Sequence, residues 1–168
     1  RKRAKKDNLR NIIWEKTDNR RCKNLIDHGI RDSSRLLDSY IDYILKVPNI
    51  FQIDREGKVK ASEGTILDRL TNLDKRGELR DEDINSCLHQ IFTNVRIKRF
   101  IEVRGADRPP FGYEMAPVAF WTGVLTEDSI RKKILAETRT WSYEDRIKFN
   151  NASLSLDGNA LTVKGKKY

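Results

Sequence analysis

The feature that most constrains the fold is a run at residues 95–107 that is rich in both β-forming and charged side chains. Val, Ile and Phe dominate it, which predicts a β-strand that breaks at Gly105. Alternation with a period of two sorts the side chains onto two faces. The first face holds Val95, Ile97, Arg99, Ile101 and Val103, and the second holds Arg96, Lys98, Phe100, Glu102 and Arg104. We therefore expect the first face to enter a core and the second to present a row of charges.

The charged face of this strand has a spacing that suits phosphate chemistry. Glu102 and Arg104 lie two residues apart, so their Cα atoms would be about 6.5–7 Å from each other. A carboxylate there can bind a divalent cation while a guanidinium reaches phosphoryl oxygens held by the same cation. Arg96 and Lys98 would extend the positive field. The structural alternative is a solvated face with cross-strand ion pairs, and spacing alone favours neither interpretation.

Composition narrows the classes of protein to which the chain can belong. The net charge of +9 suggests nucleic-acid binding, but six of the first ten residues and three of the last five are basic, so much of the excess lies at the ends. Elsewhere the cations alternate with glutamates and have no aromatic platform, so we expect no nucleic-acid partner. No apolar stretch approaches the ~18 residues of a membrane span, so we expect no membrane partner. The two cysteines, Cys22 and Cys87, are expected to be free thiols in a cytoplasmic protein.

The remaining pattern predicts an α+β fold, an antiparallel sheet segment backed by helices. Helices are expected from residue 8 to about 17, over 36–47 with Ser33 or Ser34 as the N-cap, over 65–73, and from 81. Residues 50–60 are predicted to form a β-hairpin. A buried helix over 115–125 and helices over 130–138 and from 142 past 149 follow, and we expect residues 159–168 to form a polar, frayed tail.

Four ordered blocks of this chain resemble the plant- and proteobacterial-type glutamate–cysteine ligases. They are residues 10–14 (RNIIW) with Thr17, Asp18 and Arg21, residues 40–51 (YIDYILKVPNIF), residues 96–107 (RIKRFIEVRGAD) and residues 116–125 (APVAFWTGVL). The resemblance covers about residues 10–125. It implies a glutamine-synthetase-like carboxylate–amine ligase, which joins the γ-carboxylate of glutamate to the amine of cysteine for glutathione biosynthesis. ATP and Mg²⁺ are the cofactors implied, and a γ-glutamyl phosphate is the intermediate.

The resemblance also implies roles for individual residues. Glu102 would be a Mg²⁺ ligand, and Arg104 would stabilise the transferring phosphoryl group. From its position after Gly105 and Ala106, Asp107 either orients Arg104 or only forms the turn. Arg96 and Lys98, on the same face of the strand, would add to the positive electrostatic field around the phosphate groups. The substrate-binding candidates are Arg10, Trp14 and Arg21, of which Arg10 would grip a carboxylate and Trp14 would form a wall of the site or pack in the core.

Two departures from the family limit what the chain can do. The family follows Arg-Gly-Ala-Asp with Gly-Gly-Pro and a basic pair, where this chain has residues 108–113 (RPPFGY), so another amine could replace cysteine as the acceptor. The family's other metal-binding carboxylates and nucleotide contacts lie in an N-terminal portion. We therefore expect residues 1–158 to be the C-terminal portion of one catalytic domain, which supplies one wall of the site and depends on that N-terminal portion or on a partner chain. The alternative is a non-catalytic remnant or interaction domain with the same fold.

Overall fold

The computed structural model describes residues 9–106, 108–152 and 163–165, and within these it contains seven α-helices and four short strands. The helices are α1 (Leu9–Glu15), α2 (Leu36–Lys46), α3 (Ile66–Lys75), α4 (Asp81–Leu88), α5 (Ala116–Thr126), α6 (Asp128–Thr138) and α7 (Tyr143–Ala152). The strands are β1 (Phe51–Ile53), β2 (Val59–Ala61), β3 (Val95–Ile97) and β4 (Ile101–Val103), and they form two antiparallel hairpins, β1–β2 and β3–β4. The predicted α+β class is thus confirmed. Of the tail predicted for residues 159–168, all but a single 3₁₀ turn at Val163–Gly165 lies outside the described residues.

The chain divides into two compact units. Unit 1 comprises Arg1–Ile13 and Ala106–Tyr168, and unit 2 comprises Trp14–Gly105. Unit 2 contains α2, α3, α4 and both hairpins, whereas α5, α6 and α7 belong to unit 1. Helix α1 begins in unit 1, and its last two residues belong to unit 2.

The core of unit 2 forms where α2, α3 and α4 meet. Its buried members are Ile30, Tyr40, Ile44, Val47, Ile66, Cys87 and Ile91. Helix α2 contributes Tyr40 and Ile44, which are four residues apart and so share one face. Helix α2 ends before Pro48. The start of α3 lies beside the end of α2, since the Ile66 amide donates to the Val47 carbonyl at 2.9 Å. The prediction that Ser33 or Ser34 caps α2 is wrong, because the N-cap residue of α2 is Arg35, which makes no side-chain cap hydrogen bond. Ser33 and Ser34 lie in a 3₁₀ turn before α2, where Asp32 accepts from the Ser34 amide.

The prediction of one continuous strand over residues 95–107 is wrong. The run folds back on itself as the β3–β4 hairpin, with Val95 opposite Val103, Arg96 opposite Glu102, and Ile97 opposite Ile101. Because the two halves of the run pair with each other, their backbone amides and carbonyls form hydrogen bonds across the hairpin and do not need another strand.

The expected burial of the two faces is only partly right, because Ile97 packs against the core of unit 2 but Arg96 and Ile101 differ from the expectation. Arg96 is only 6% exposed, whereas Ile101 is 62% exposed. Arg96 is buried because its guanidinium donates to the His89 and Ile91 carbonyls, both at 3.1 Å, just beyond the end of α4.

The prediction that residues 115–125 form a buried helix is half right. Helix α5 forms, with Pro117 in its first turn, but none of its described residues is buried. Val118 and Phe120 are 53% and 61% exposed. Helix α6 packs against α5 but covers only part of its circumference.

Candidate functional site

The β3–β4 hairpin is anchored to the loop that carries Arg21. The Phe92 amide donates to the Arg21 carbonyl at 2.8 Å, and the Asn94 amide donates to the Lys23 carbonyl at 3.0 Å. Lys23 takes a left-handed backbone conformation with a φ of 78°, which turns the chain at this point. The Arg104 amide in turn donates to the Asn94 carbonyl at 2.7 Å. Backbone hydrogen bonds thus connect the Arg21 loop to the end of β4.

Four charged side chains converge on one face of the hairpin, and we call them the Glu102 cluster: Arg96, Lys98, Glu102 and Arg104. Glu102 Oε2 lies 2.7 Å from Arg96 Nη2 and 3.3 Å from Lys98 Nζ, and Arg96 Nε also donates to it at 2.8 Å. Glu102 Oε1 accepts from Arg104 Nη1 at 2.9 Å. The predicted grouping of these four residues on one face is therefore what the structure shows, although a hairpin and not a single strand brings them together.

The cluster holds Glu102 in its ionised form. Burial raises the pKa of this carboxyl, but hydrogen bonds from Arg96 and Arg104, the charge of Arg96 and a hydrogen bond from Lys98 outweigh burial and lower the pKa to about 2. Three cations against one carboxylate leave an excess of positive charge. This face can therefore attract an anion at neutral pH.

The three cations of the cluster differ in how firmly they are held. Arg96 is fixed by the two carbonyls beyond α4 and has a side chain that is 7% exposed. Lys98 also contacts His89 Nε2 at 3.4 Å and lies 4.9 Å from the centre of the Phe100 ring. Arg104 lies 5.8 Å from the centre of the Phe92 ring and has the most exposed side chain of the three, at 22%. Arg104 is thus the cation best placed to reach a ligand.

The other predicted site residues are distributed over both units. In unit 2, Arg21 is buried and directs its guanidinium to Asp18 Oδ2 at 2.8 Å and to the Gln90 and Pro48 carbonyls at 3.1 and 2.7 Å. The Trp14 ring lies 5.9 Å from the Phe92 ring. Arg10 lies on α1 in unit 1. Their roles in substrate binding stay predictions, and Asp107 lies outside the described residues.

A magnesium site needs more ligands than the described residues bring together. Within the part of the chain that the structure describes, no group of three or more His, Cys, Asp or Glu side chains could hold a metal ion. Glu102 is ionised and its side chain is 27% exposed, so its oxygens suit one position in a Mg²⁺ coordination sphere. The contact of Lys98 with Glu102, at 3.3 Å, is the longest of the three ion pairs. Lys98 is therefore the donor that an incoming cation would displace most easily. The residues present fit one ligand of such a site and no more.

Sequence analysis missed Gln90, which organises the surroundings of the site. Its side chain is fully buried, accepts from the Ile50 amide at 2.7 Å, and donates to Asn49 Oδ1 at 2.8 Å. Its backbone carbonyl also accepts from Arg21. Gln90 lies in the connection between α4 and β3, where a single glutamine gives no sequence signal.

Comparison with known proteins decides the family. The family profile for glutamate–cysteine ligase family 2 matches residues 7–156. The chain belongs to this family, which has a glutamine-synthetase-like ligase fold. Among its relatives are the chloroplastic glutamate–cysteine ligases of Medicago truncatula (32% identical over 146 residues) and Arabidopsis thaliana (33% over 148 residues). Each alignment covers 85% of this chain and 28% of the relative, so the chain spans little more than a quarter of their length.

The comparison also bears on location. The cytoplasmic location expected from the sequence is wrong, because the relatives are named as chloroplastic enzymes. None of the helices in the described ranges is long and apolar enough to cross a membrane.

Proposed function

We propose that this chain supplies one wall of the active site of an ATP-dependent glutamate–cysteine ligase. The observation that carries the proposal is the Glu102 cluster, in which three cations contact one carboxylate on the β3–β4 hairpin. Membership of the glutamate–cysteine ligase family supports the reaction. The remaining walls of the site would come from the part of the ligase that this chain does not span.

The reaction would proceed in two transfers. An oxygen of the glutamate γ-carboxylate attacks the γ-phosphorus of ATP, the bond to the β,γ-bridging oxygen breaks, and ADP leaves. The amine nitrogen of the acceptor then attacks the carbonyl carbon of the γ-glutamyl phosphate, and inorganic phosphate leaves as the amide forms. Negative charge spreads over the phosphoryl oxygens during the first transfer, and a positioned guanidinium stabilises that charge.

Arg104 is the residue that we assign to the phosphoryl group. It is the most exposed cation of the Glu102 cluster, and one of its terminal nitrogens is held by Glu102 at 2.9 Å. The Phe92 ring, whose centre lies 5.8 Å from the guanidinium carbon, restricts the side chain further. A guanidinium fixed in this way loses little conformational freedom when it binds a phosphoryl oxygen, so its binding energy is available for the transition state.

Glu102 has two roles in this proposal. It positions Arg104 and Arg96 through hydrogen bonds, and it offers one oxygen ligand to a metal ion. Members of the family generally depend on ATP and a metal. When bound, Mg²⁺ would neutralise phosphate charge, with its other ligands from the portion of the ligase outside this chain and from the nucleotide.

Three further residues are assigned to substrate binding. We propose that Arg10, in unit 1, binds a carboxylate of glutamate, and that Trp14 and Arg21, in unit 2, contribute to substrate binding. Arg21 would act from its buried position, since its guanidinium already binds Asp18 and two carbonyls. The replacement of the family's Gly-Gly-Pro by residues 108–110 (RPP) favours a test of acceptors other than cysteine. The chloroplastic names of the relatives support a plastid location for the whole ligase.

The test of the proposed reaction is an ADP-release assay. The chain would be co-expressed with the portion of the Medicago truncatula ligase that lies outside the matched stretch, and the purified material would receive ATP, Mg²⁺ and glutamate. We expect ADP release that needs both glutamate and an amine, with cysteine, serine and 2-aminobutyrate compared as acceptors. If the co-purified complex releases no ADP with any of these amines, the non-catalytic alternative is the correct one.

A further inference from the structure

Unit 1 exposes an apolar surface that starts before α5 and continues along it. Its exposed large side chains are Phe111, Tyr113, Met115, Val118, Phe120 and Leu125, and we call this set the α5 surface. Soluble monomers rarely expose large apolar patches, and six large apolar side chains within residues 111–125 are exposed here. The α5 surface is thus a candidate contact site for another part of a larger protein.

Helix α5 has the composition of a helix that is surrounded by protein. Its sequence, APVAFWTGVLT, contains no charged residue in eleven positions. A surface helix of a globular protein alternates an apolar stripe with a charged face, whereas a helix that is apolar on all sides is buried. Within unit 1, α6 is the helix packed against α5, and it leaves Val118 and Phe120 more than half exposed. The composition of α5 and its exposure in this chain therefore disagree.

The length of the relatives identifies what would cover the helix. Each aligned ligase extends well beyond the matched stretch, which makes up only 28% of its length. The family profile continues through α5 to residue 156, so this helix is a part of the ligase fold and not an appendage. A helix of that fold without charged residues would then be packed by the remaining protein.

We propose that the α5 surface docks the portion of the ligase that lies outside this chain, and that burial of Phe120 and Val118 holds the two portions together. This inference rests on the proposed function, because it takes the whole ligase as the partner. Burial of apolar side chains is favourable, and a few well-packed residues carry most of the binding energy of an interface.

The experiment measures co-purification. The tagged chain is co-expressed with the Medicago truncatula ligase portion outside the matched stretch, and the amount of co-purified partner is quantified. We expect a 1:1 complex, and an at least tenfold loss of partner for both Phe120→Asp and Val118→Asp. Lys133→Asp, an exposed substitution on α6, is the matched control and should retain the partner. Because Phe120 and Val118 are exposed in the chain alone, both variants should keep the circular dichroism spectrum and melting temperature of the isolated chain.

Several results would overturn the proposal. One is partner recovery that is unchanged in both aspartate variants, and another is a wild-type chain that recovers no partner. A third is self-association of the isolated chain in sedimentation analysis that Phe120→Asp abolishes, since the occupant would then be a second copy. Activity separates this inference from the proposed function: a complex that forms but releases no ADP contradicts the function alone, whereas an active complex that is insensitive to Phe120→Asp contradicts the docking surface alone.

Discussion

Glu102 organises the candidate site because a single carboxylate can accept several hydrogen bonds at once. Its two oxygens bind Arg96, Lys98 and Arg104, so three mutually repelling cations lie side by side at low cost. The same arrangement fixes the direction of Arg104. A residue with this role affects stability and function together, and the two effects can be separated by their pH dependence.

Replacing Glu102 by Gln should destabilise the fold by about 3 kcal/mol at pH 7, because the three cations lose their counter-charge in a partly buried position. The pKa of the carboxyl is about 2 in the folded chain, against an ordinary value of 4.5. A lowered pKa means that the stabilisation is complete above about pH 5 and is lost as the pH falls towards 2. The difference between wild type and Glu102→Gln in urea unfolding should therefore be smaller at pH 3 than at pH 7. An equal difference at both pH values would show that Glu102 is not held ionised by the cluster.

Gln90→Leu should destabilise unit 2 by about 2–4 kcal/mol, because it leaves the Ile50 amide and the Asn49 side chain buried without their partner. Urea unfolding of the variant measures this loss. Asn72→Leu, an exposed polar-to-leucine change on α3, is the control and should shift stability by less than about 0.5 kcal/mol. Similar stabilities for the two variants would contradict the role given to Gln90.

At the residue scale, sequence analysis found the charged members of the site but not their supports. Glu102 and Arg104 are recognisable because they lie two positions apart in a motif that resembles a known family. Gln90 and the Arg96 contacts with the His89 and Ile91 carbonyls depend on chain segments that meet only in three dimensions. Nothing in the local sequence indicates such contacts.

At the scale of elements, helices with local signals were predicted well. Helix α3 begins at a capping box, in which Thr65 Oγ1 accepts from the Asp68 amide at 3.2 Å and Asp68 Oδ2 accepts from the Thr65 amide at 2.7 Å. The β3–β4 hairpin was missed because its turn, residues 98–100, contains no glycine, asparagine or proline. The tight turn forms there because the Lys98 amide bonds to the Phe100 carbonyl and the charged side chains pair across the strands.

Thr65→Ala should cost about 1 kcal/mol, because the first turn of α3 loses the oxygen that accepts from the Asp68 amide. Chemical denaturation monitored by tryptophan fluorescence would measure the loss. Thr65→Ser keeps the hydroxyl and should recover most of the stability. A serine variant as unstable as the alanine variant would mean that the methyl group, and not the cap, is responsible.

At the scale of the whole molecule, the two units differ in how they use their apolar residues. Among the described residues, unit 2 holds nearly all of the buried apolar side chains, whereas Val163 is the buried one in unit 1. The apolar composition of α5 predicted burial, but none of its described residues is buried in this chain. Composition indicates how apolar the surface of a helix is, and not which part of a protein would cover it.

The central claim is that Arg104 stabilises the transferring phosphoryl group, and steady-state kinetics of the co-expressed ligase tests it most directly. Arg104→Ala should lower kcat for ADP release by about 10²–10³-fold while the KM for the acceptor amine changes little. Arg99→Ala is the matched control, because Arg99 lies in the turn of the same hairpin with a side chain that is 77% exposed, and it should retain wild-type kcat. A kcat for Arg104→Ala within about twofold of the Arg99→Ala value would contradict the claim.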